Sequence, residues 1–179
     1  MNELALENKP IEVYEWENIP DFGIYSDQLL TIINDSEIIN DTDQYMTSSM
    51  INNYVKLQVI EKPKKKKYYR DQIAALMMIA LMKSIMSIKD IGVFISKSQR
   101  EIGIDRLYHI FCESIKNKGN SPEDSILEEE KRYRRALDSM VKAINSKREL
   151  GIILKDFSNN EVWLWTINYI QSKKKLWMP

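Results

Sequence analysis

The ten residues from Ile73 to Met82, IAALMMIALM, are apolar without exception. A helix made of them has no polar face, so it has to be covered on most sides. At about half of the roughly twenty residues that a bilayer span needs, the run predicts a buried helix and not a membrane segment. Just before it, with two residues between, stands KPKKKKYYR, a concentrated polycation. The chain must therefore turn lysines outward and, within a few residues, carry its most apolar segment into a core. Tyr68 and Tyr69 lie at that junction, where they can anchor a hairpin and hold the lysines out from it.

Upstream, Thr47 is a good N-cap residue, and its hydroxyl can accept from an orphan amide of the helix that follows. At helical spacing Met50, Ile51, Tyr54 and Val55 fall on one side, and Ser49, Asn52, Asn53 and Lys56 on the other. One face is core. The opposite face is short, uncharged for most of its length and rich in hydrogen-bonding groups. A solvated helix more often carries Glu and Lys, which form helices better than Ser and Asn. Asn pairs well with adenine in the major groove, and Ser and Asn both serve at base edges or phosphates. An ordinary polar surface helix would share the pattern.

Between Thr47 and Arg70 there are seven basic residues and one acidic, a local charge of +6 in a chain whose formal net charge is zero. Lys62, Lys64, Lys65, Lys66, Lys67 and Arg70 gather around Pro63, with Glu61 as the nearby acid. Such clustering is repulsive unless a polyanion sits close by. A solvated loop is the plain alternative.

The order of a TSSMINNYVK helix, a VIEKP turn, a basic loop and YYRDQIAALMMIALMKSIMSIKDI resembles the DNA-binding head of the mercury-resistance-regulator (MerR) superfamily, over roughly residues 25 to 97. By position Thr47 takes that family's Ser cap, Tyr54 its second Tyr, Lys56 its Arg, and Val59 and Ile60 its Leu-Ile pair. Lys66 takes the wing Arg and Tyr68 the consensus Tyr. Ile73, Leu76 and Ile79 take buried helix positions, and Ser87, Ile88, Asp90 and Ile91 the start of the next helix. Three positions depart from the pattern: Asn52 stands for a phosphate-binding Arg, and Gln58 and Ile85 each stand for a Gly. The combination of MINNYVK with PKKKKYYRDQIA and SIKDI looks more closely like the bacterial domain-of-unknown-function 1836 family. The resemblance implies a mainly α fold: a MerR-like winged helix-turn-helix head with a small β wing, then a helical C-terminal portion.

The division expected is an acidic N-terminal arm over 1–24, the winged helix-turn-helix domain over 25–100, and a helical dimerisation or effector portion over 101–179. From Met1 to Tyr45 there are eleven Asp and Glu against one Lys, a local charge of −10. Such an arm either packs its aromatics across the core or shields the lysines until DNA displaces it. A helix starting at Ser26, with Leu29, Leu30, Ile32 and Ile33 inward, pairs with the one after Thr47, and the polar residues between form a loop or a short extra turn.

Further on, Ser87 and Asp90 start a helix that runs to Ser96 or beyond, Gly103 marks a break, and 105–118 reads as another amphipathic helix. Ser121-Pro122-Glu123-Asp124 starts a helix predicted to end near Ser146, with Ile126, Tyr133, Leu137, Met140, Val141 and Ile144 as its apolar stripe. That stripe either packs on its own domain or pairs two copies antiparallel, acids against bases. In the tail, 162–170 reads as helix in preference to strand, and Trp163, Trp165 and Trp177 either dock a terminal element or line an effector pocket.

The first ten residues lack the basic start and apolar segment of a secretory signal. The single Cys112 excludes an intrachain disulfide and fits a cytoplasmic protein. His109 and Cys112 stand at i, i+3, but two ligands are too few for a closed zinc site. With one His, no glycine-rich phosphate loop and acids spread along solvated faces, the chain does not read as an enzyme, and no cofactor or metal is expected. The reading is a transcriptional regulator that binds double-stranded DNA, most simply as a homodimer. A recognition helix at 47–57 (Thr47, Ser48, Ser49, Asn52, Asn53, Tyr54, Lys56) would lie in the major groove. A wing at 62–70 (Lys64, Lys65, Lys66, Lys67, Tyr69, Arg70) would lie on phosphates. The rival is a helical interaction module whose basic loop meets an acidic protein.

Overall fold

The apolar run becomes the central helix, α3 (Arg70–Met82), buried from Gln72 to its last residue. The structure, a computed structural model, describes residues 11–35, 45–116 and 127–159, with side chains as far as 155. Over these residues the chain is mainly helical. A 3-10 turn at Trp16–Asn18 precedes α1 (Ser26–Asp35), α2 (Ser48–Lys56) and α3, and then come α4 (Ile88–Glu101), α5 (Ile104–Ile115) and α6 (Glu128–Asn159). Helices α1, α4 and α5 all touch α3, which gives its uniformly apolar surface the cover it requires. No described helix is long and apolar enough to cross a membrane.

Local chemistry sets several of the helix ends. Thr47 Oγ1 accepts the Met50 amide at 3.2 Å, as its N-cap position predicts. Ser87 Oγ accepts the Asp90 amide at 3.2 Å and donates to the Asp90 carboxylate at 2.6 Å. Leu29 and Ile33 of α1 are buried, with Leu30 and Ile32 packed partly against the same core. The nine residues from 36 to 44 lie outside the described residues. Helix α2 closes with a pair of reversed bonds, Val59 N–H to Tyr54 C=O (2.9 Å) and Gln58 N–H to Val55 C=O (3.1 Å). This ending needs a left-handed residue, and Gln58 supplies it at φ 57°, where a glycine would sit more easily.

Residues 11–24 belong to the same compact unit as the helices up to Ile144. Ile19 and Ile24 are buried, and Ile11, Val13 and Trp16 pack on the core. The Tyr108 hydroxyl of α5 donates to the Tyr14 carbonyl at 2.8 Å, and the Trp16 ring lies 6.0 Å from that of Tyr108. In its described part, then, the acidic segment packs Trp16 and its aliphatic residues on the core, while Tyr14 and Phe22 stay exposed.

Helix α6 runs well past the expected end at Ser146, passing through Gly151. One glycine in a helix interior costs about 1 kcal/mol relative to Ala, too little to stop a helix of 32 residues. Up to Ile144 the helix belongs to the main unit, and from Asn145 to a second one. Tyr133, Leu137, Val141 and Ile144 are buried and Met140 is partly so, which means the apolar stripe packs on its own domain. Charge follows the same course. Glu130 forms a two-pronged pair with Arg106, Arg134 meets Glu113 at 2.6 Å, and Arg132 meets Glu101. The Tyr133 hydroxyl donates to Glu101 at 2.6 Å and, with Arg132, holds that carboxyl below its usual range. Glu130, Arg132 and Arg134 are thus paired within the chain, and an antiparallel match with a second copy would first have to break those pairs. Ile126 and the residues from 121 to 125 lie outside the described residues, as do Trp163, Trp165, Trp177 and the 162–170 segment.

The strained ending of α2 leads to a stability prediction. Gln58→Gly removes a Cβ from a left-handed position and should stabilise the fold by about 0.5–1 kcal/mol in urea titrations. A loss of stability would mean that the Gln58 side chain contributes more than its backbone strain takes away.

Candidate nucleic-acid interface

Helix α2 is held from both sides of its start. The Asn34 carboxamide, at the end of α1, accepts the Met46 amide at 2.8 Å and donates to the Met46 carbonyl at 2.9 Å. Lys83, just past α3, donates to the Tyr45 carbonyl at 3.2 Å, and partial burial lowers its pKa. On the helix so placed, Thr47, Ser48, Ser49, Asn52, Asn53 and Lys56 are exposed. Neither Asn52 nor Asn53 makes a side-chain hydrogen bond to another described residue. Tyr54 is different: at 6% exposure it is part of the core, and desolvation raises its pKa. Its ring fills space under α2 and is not on the exposed face with the other residues expected to bind DNA.

The lysine segment folds as a tight hairpin. Lys64 and Lys67 exchange both backbone hydrogen bonds at 3.0 Å across a two-residue turn. Lys65 and Lys66 form that turn with φ of 51° and 64°, both left-handed. This is the primed turn that suits a twisted hairpin, and Asn-Gly is the pair that adopts it readily. Two lysines there cost about 1 kcal/mol or more each in backbone strain. Beyond the turn, Tyr68 exchanges two backbone bonds with Ile24, at 2.8 and 2.9 Å, and its ring is buried. The expected β wing is thus reduced to two isolated bridges, with no regular strand among the described residues.

Gln72, only 9% exposed, secures the base of the hairpin. Its Oε1 accepts the Tyr69 amide at 3.0 Å, and its Nε2 donates to the carbonyls of Glu61 (2.9 Å) and Lys62 (3.2 Å). One carboxamide therefore joins the limb entering the hairpin to the limb leaving it. Val59 and Ile60, buried between α2 and that base, fix the hairpin relative to the helix.

The basic residues divide into two sets. Lys62, Lys64, Lys65 and Lys66 are exposed, and no ion pair joins them to an acid among the described residues. Lys67 and Arg70 are committed to the fold. The Lys67 ammonium lies 5.1 Å over the Tyr25 ring. Arg70 donates through Nε to the Ile19 carbonyl (2.9 Å), lies over Trp16 and comes within 4.0 Å of Asp21. The acids of the N-terminal segment likewise turn elsewhere, Glu15 to Lys116 and Glu17 to His109 at 3.8 Å. In the described residues they do not cover the four exposed lysines of the hairpin.

Sequence reasoning missed Asn34, Gln72 and residues 22–25. Gln72 did carry a signal, since a polar residue at the third position of a buried helix is where a capping-box side chain belongs. A cleft of about 120 Å³ lies beside the hairpin base, lined in part by Gln58, Glu61, Asp71 and Gln99. It is well below the 300–1,000 Å³ typical of ligand pockets. Cys112 is buried against Tyr14 and Tyr108, and desolvation pushes its thiol up to about 12. It is an inert core thiol.

These features define a helical domain with one polar, amide-bearing helix and a lysine-tipped hairpin clamped beside it. Residues 14–111, more than half of the chain, match the family described as domain of unknown function (DUF1836), and the chain belongs to that family. The match includes the N-terminal segment from Tyr14 and most of α5, both of which pack on α3 or on one another in the structure. Neither a curated protein nor a solved structure matches it.

Removing the Gln72 carboxamide should leave one amide and two carbonyls at the hairpin base without partners. Gln72→Ala is expected to destabilise the protein by about 2 kcal/mol in urea unfolding. A change below about 0.5 kcal/mol would mean that the hairpin is held by something else.

Proposed function

We propose that this protein binds double-stranded DNA and regulates transcription in the cytoplasm, as a winged helix-turn-helix of the MerR-like kind. Helices α1 and α2 are the helix-turn-helix pair, with α2 in the major groove and the lysine hairpin on phosphates. The observation that carries the reading is the hairpin tip, where two consecutive lysines sit in left-handed conformations that Asn and Gly adopt at far less cost. Strain retained at an exposed tip marks a functional position, and what lysines add there is positive charge. The exposed Asn52 and Asn53 on α2 offer donors and acceptors suited to base edges.

Phosphates position and bases specify, so the two elements have separable roles. Phosphate contacts by Lys56, Lys62, Lys64, Lys65 and Lys66 would each add about 0.9 to the logarithmic salt slope, for a total near −4.5. Regulators of this kind work as paired heads on two half-sites, so the proposal includes a homodimer.

Fluorescence polarisation with random and selected duplexes at two salt concentrations tests the assignment. Asn52→Ala with Asn53→Ala should abolish preference among duplexes while leaving the salt slope intact. Lys65→Ala with Lys66→Ala should weaken binding to every duplex about equally and reduce the slope by about 1.8. No binding at low salt, or identical behaviour of the two pairs, contradicts the reading.

A further inference from the structure

The two backbone bonds between Ile24 and Tyr68 lay residues 22–25 antiparallel along the outgoing limb of the lysine hairpin. The fit is close enough to require Gly23. A Cβ at that position would come within 2.9 Å of both Lys67 Cβ and the Tyr69 ring. Three aromatic side chains flank the seam and stay open: Phe22 at 66% exposure, Tyr25 at 50% and Tyr69 at 38%. The Lys67 ammonium rests over the Tyr25 ring and so brings a positive charge onto the aromatic surface. Exposed aromatics are ordinary when scattered singly. Here Phe22 and Tyr25 flank the Gly23–Ile24 step and the Tyr69 ring lies against Gly23, on a segment bonded directly to a hairpin of exposed lysines.

We propose that Phe22 and Tyr25 form, with Tyr69, an apolar shelf that packs against the deoxyribose rings of the strand whose phosphates the hairpin lysines hold. The inference rests on the DNA-binding reading and extends it to residues outside the helix-turn-helix pair and the hairpin. Charge chooses the occupant: a surface edged by Lys64, Lys65, Lys66 and Lys67 suits a chain that alternates anionic phosphates with apolar sugar faces. Asp21, beside this segment, lies within 4.0 Å of the Arg70 guanidinium, which offsets its charge.

An apolar contact and a phosphate contact differ in their response to salt, and this separates the shelf from the lysines. Phe22→Ala and Tyr25→Ala should each weaken duplex binding about fivefold to tenfold, by loss of apolar burial, at an unchanged salt slope. Tyr25→Phe, which keeps the ring, should bind within about twofold of the parent. Both positions are exposed, so their urea unfolding midpoints should match that of the parent, as is usual for surface changes. If Phe22→Ala and Tyr25→Ala bind like the parent, or lower the salt slope as a lysine substitution does, the shelf is wrong while the DNA-binding reading stands. If the unaltered protein binds no duplex at low salt, both fall together.

Discussion

The Gln72 carboxamide is the tie on which the rest of the arrangement depends. It sits at the third position of a helix that is otherwise sealed in the core, and its three hydrogen bonds reach both limbs of the lysine hairpin. A buried amide is tolerated only when its donors and acceptors are all used, and here they are used on the backbone of a polycation. The consequence is mechanical. A hairpin with two left-handed lysines would relax if its base were free, but a base fixed to α3 over-determines the turn and keeps it strained. The start of α2 is fixed by Asn34 at the end of α1, which itself touches α3, and by Lys83 just past α3. Polar face and charged tip are thus parts of one compact unit.

Charge is sorted with equal economy. The chain is formally neutral, yet its first quarter is strongly acidic and the segment after Thr47 strongly basic. Mutual neutralisation would be the simplest outcome, but among the described residues it goes no further than Asp21 with Arg70. Glu15, Glu17 and Asp21 meet Lys116, His109 and Arg70, which fastens the N-terminal segment to α5 and to the start of α3. The hairpin lysines keep their charge facing solvent, where their mutual repulsion costs stability. That arrangement is favourable once a polyanion arrives.

Much of the fold could be read from the sequence because much of it is locally determined. Thr47 and Ser87 cap helices wherever their chain neighbours allow, and the run after Gln72 has to be buried under any topology. The lysine cluster was equally visible as charge. Its division was not: Lys67 and Arg70 look the same as Lys65 and Lys66 in the sequence, and differ only because residues some fifty positions earlier bring Trp16, Ile19 and Tyr25 against them. Tyr54 was placed both on the core face of its helix and among the DNA contacts, and only the first role fits its burial. The expected β wing is cut short because a single Lys64–Lys67 bridge closes the turn and the outgoing limb then pairs with Ile24 instead of with the incoming limb, so no ladder forms. The last helix was expected to end near Ser146, but it continues through Gly151, because a single glycine does not outweigh the helix formers around it.

The central claim is that the lysines at positions 65 and 66 are kept for binding against the preference of their own backbone. The double substitution Lys65→Asn with Lys66→Gly installs the pair that this turn favours, and it tests stability and DNA affinity in one molecule. The account predicts opposite movements: an unfolding free energy higher by about 1–2 kcal/mol, with duplex affinity lower and a salt slope shallower by about 1.8. A variant that gains stability and binds duplex DNA as tightly as the parent, at the same slope, would contradict it.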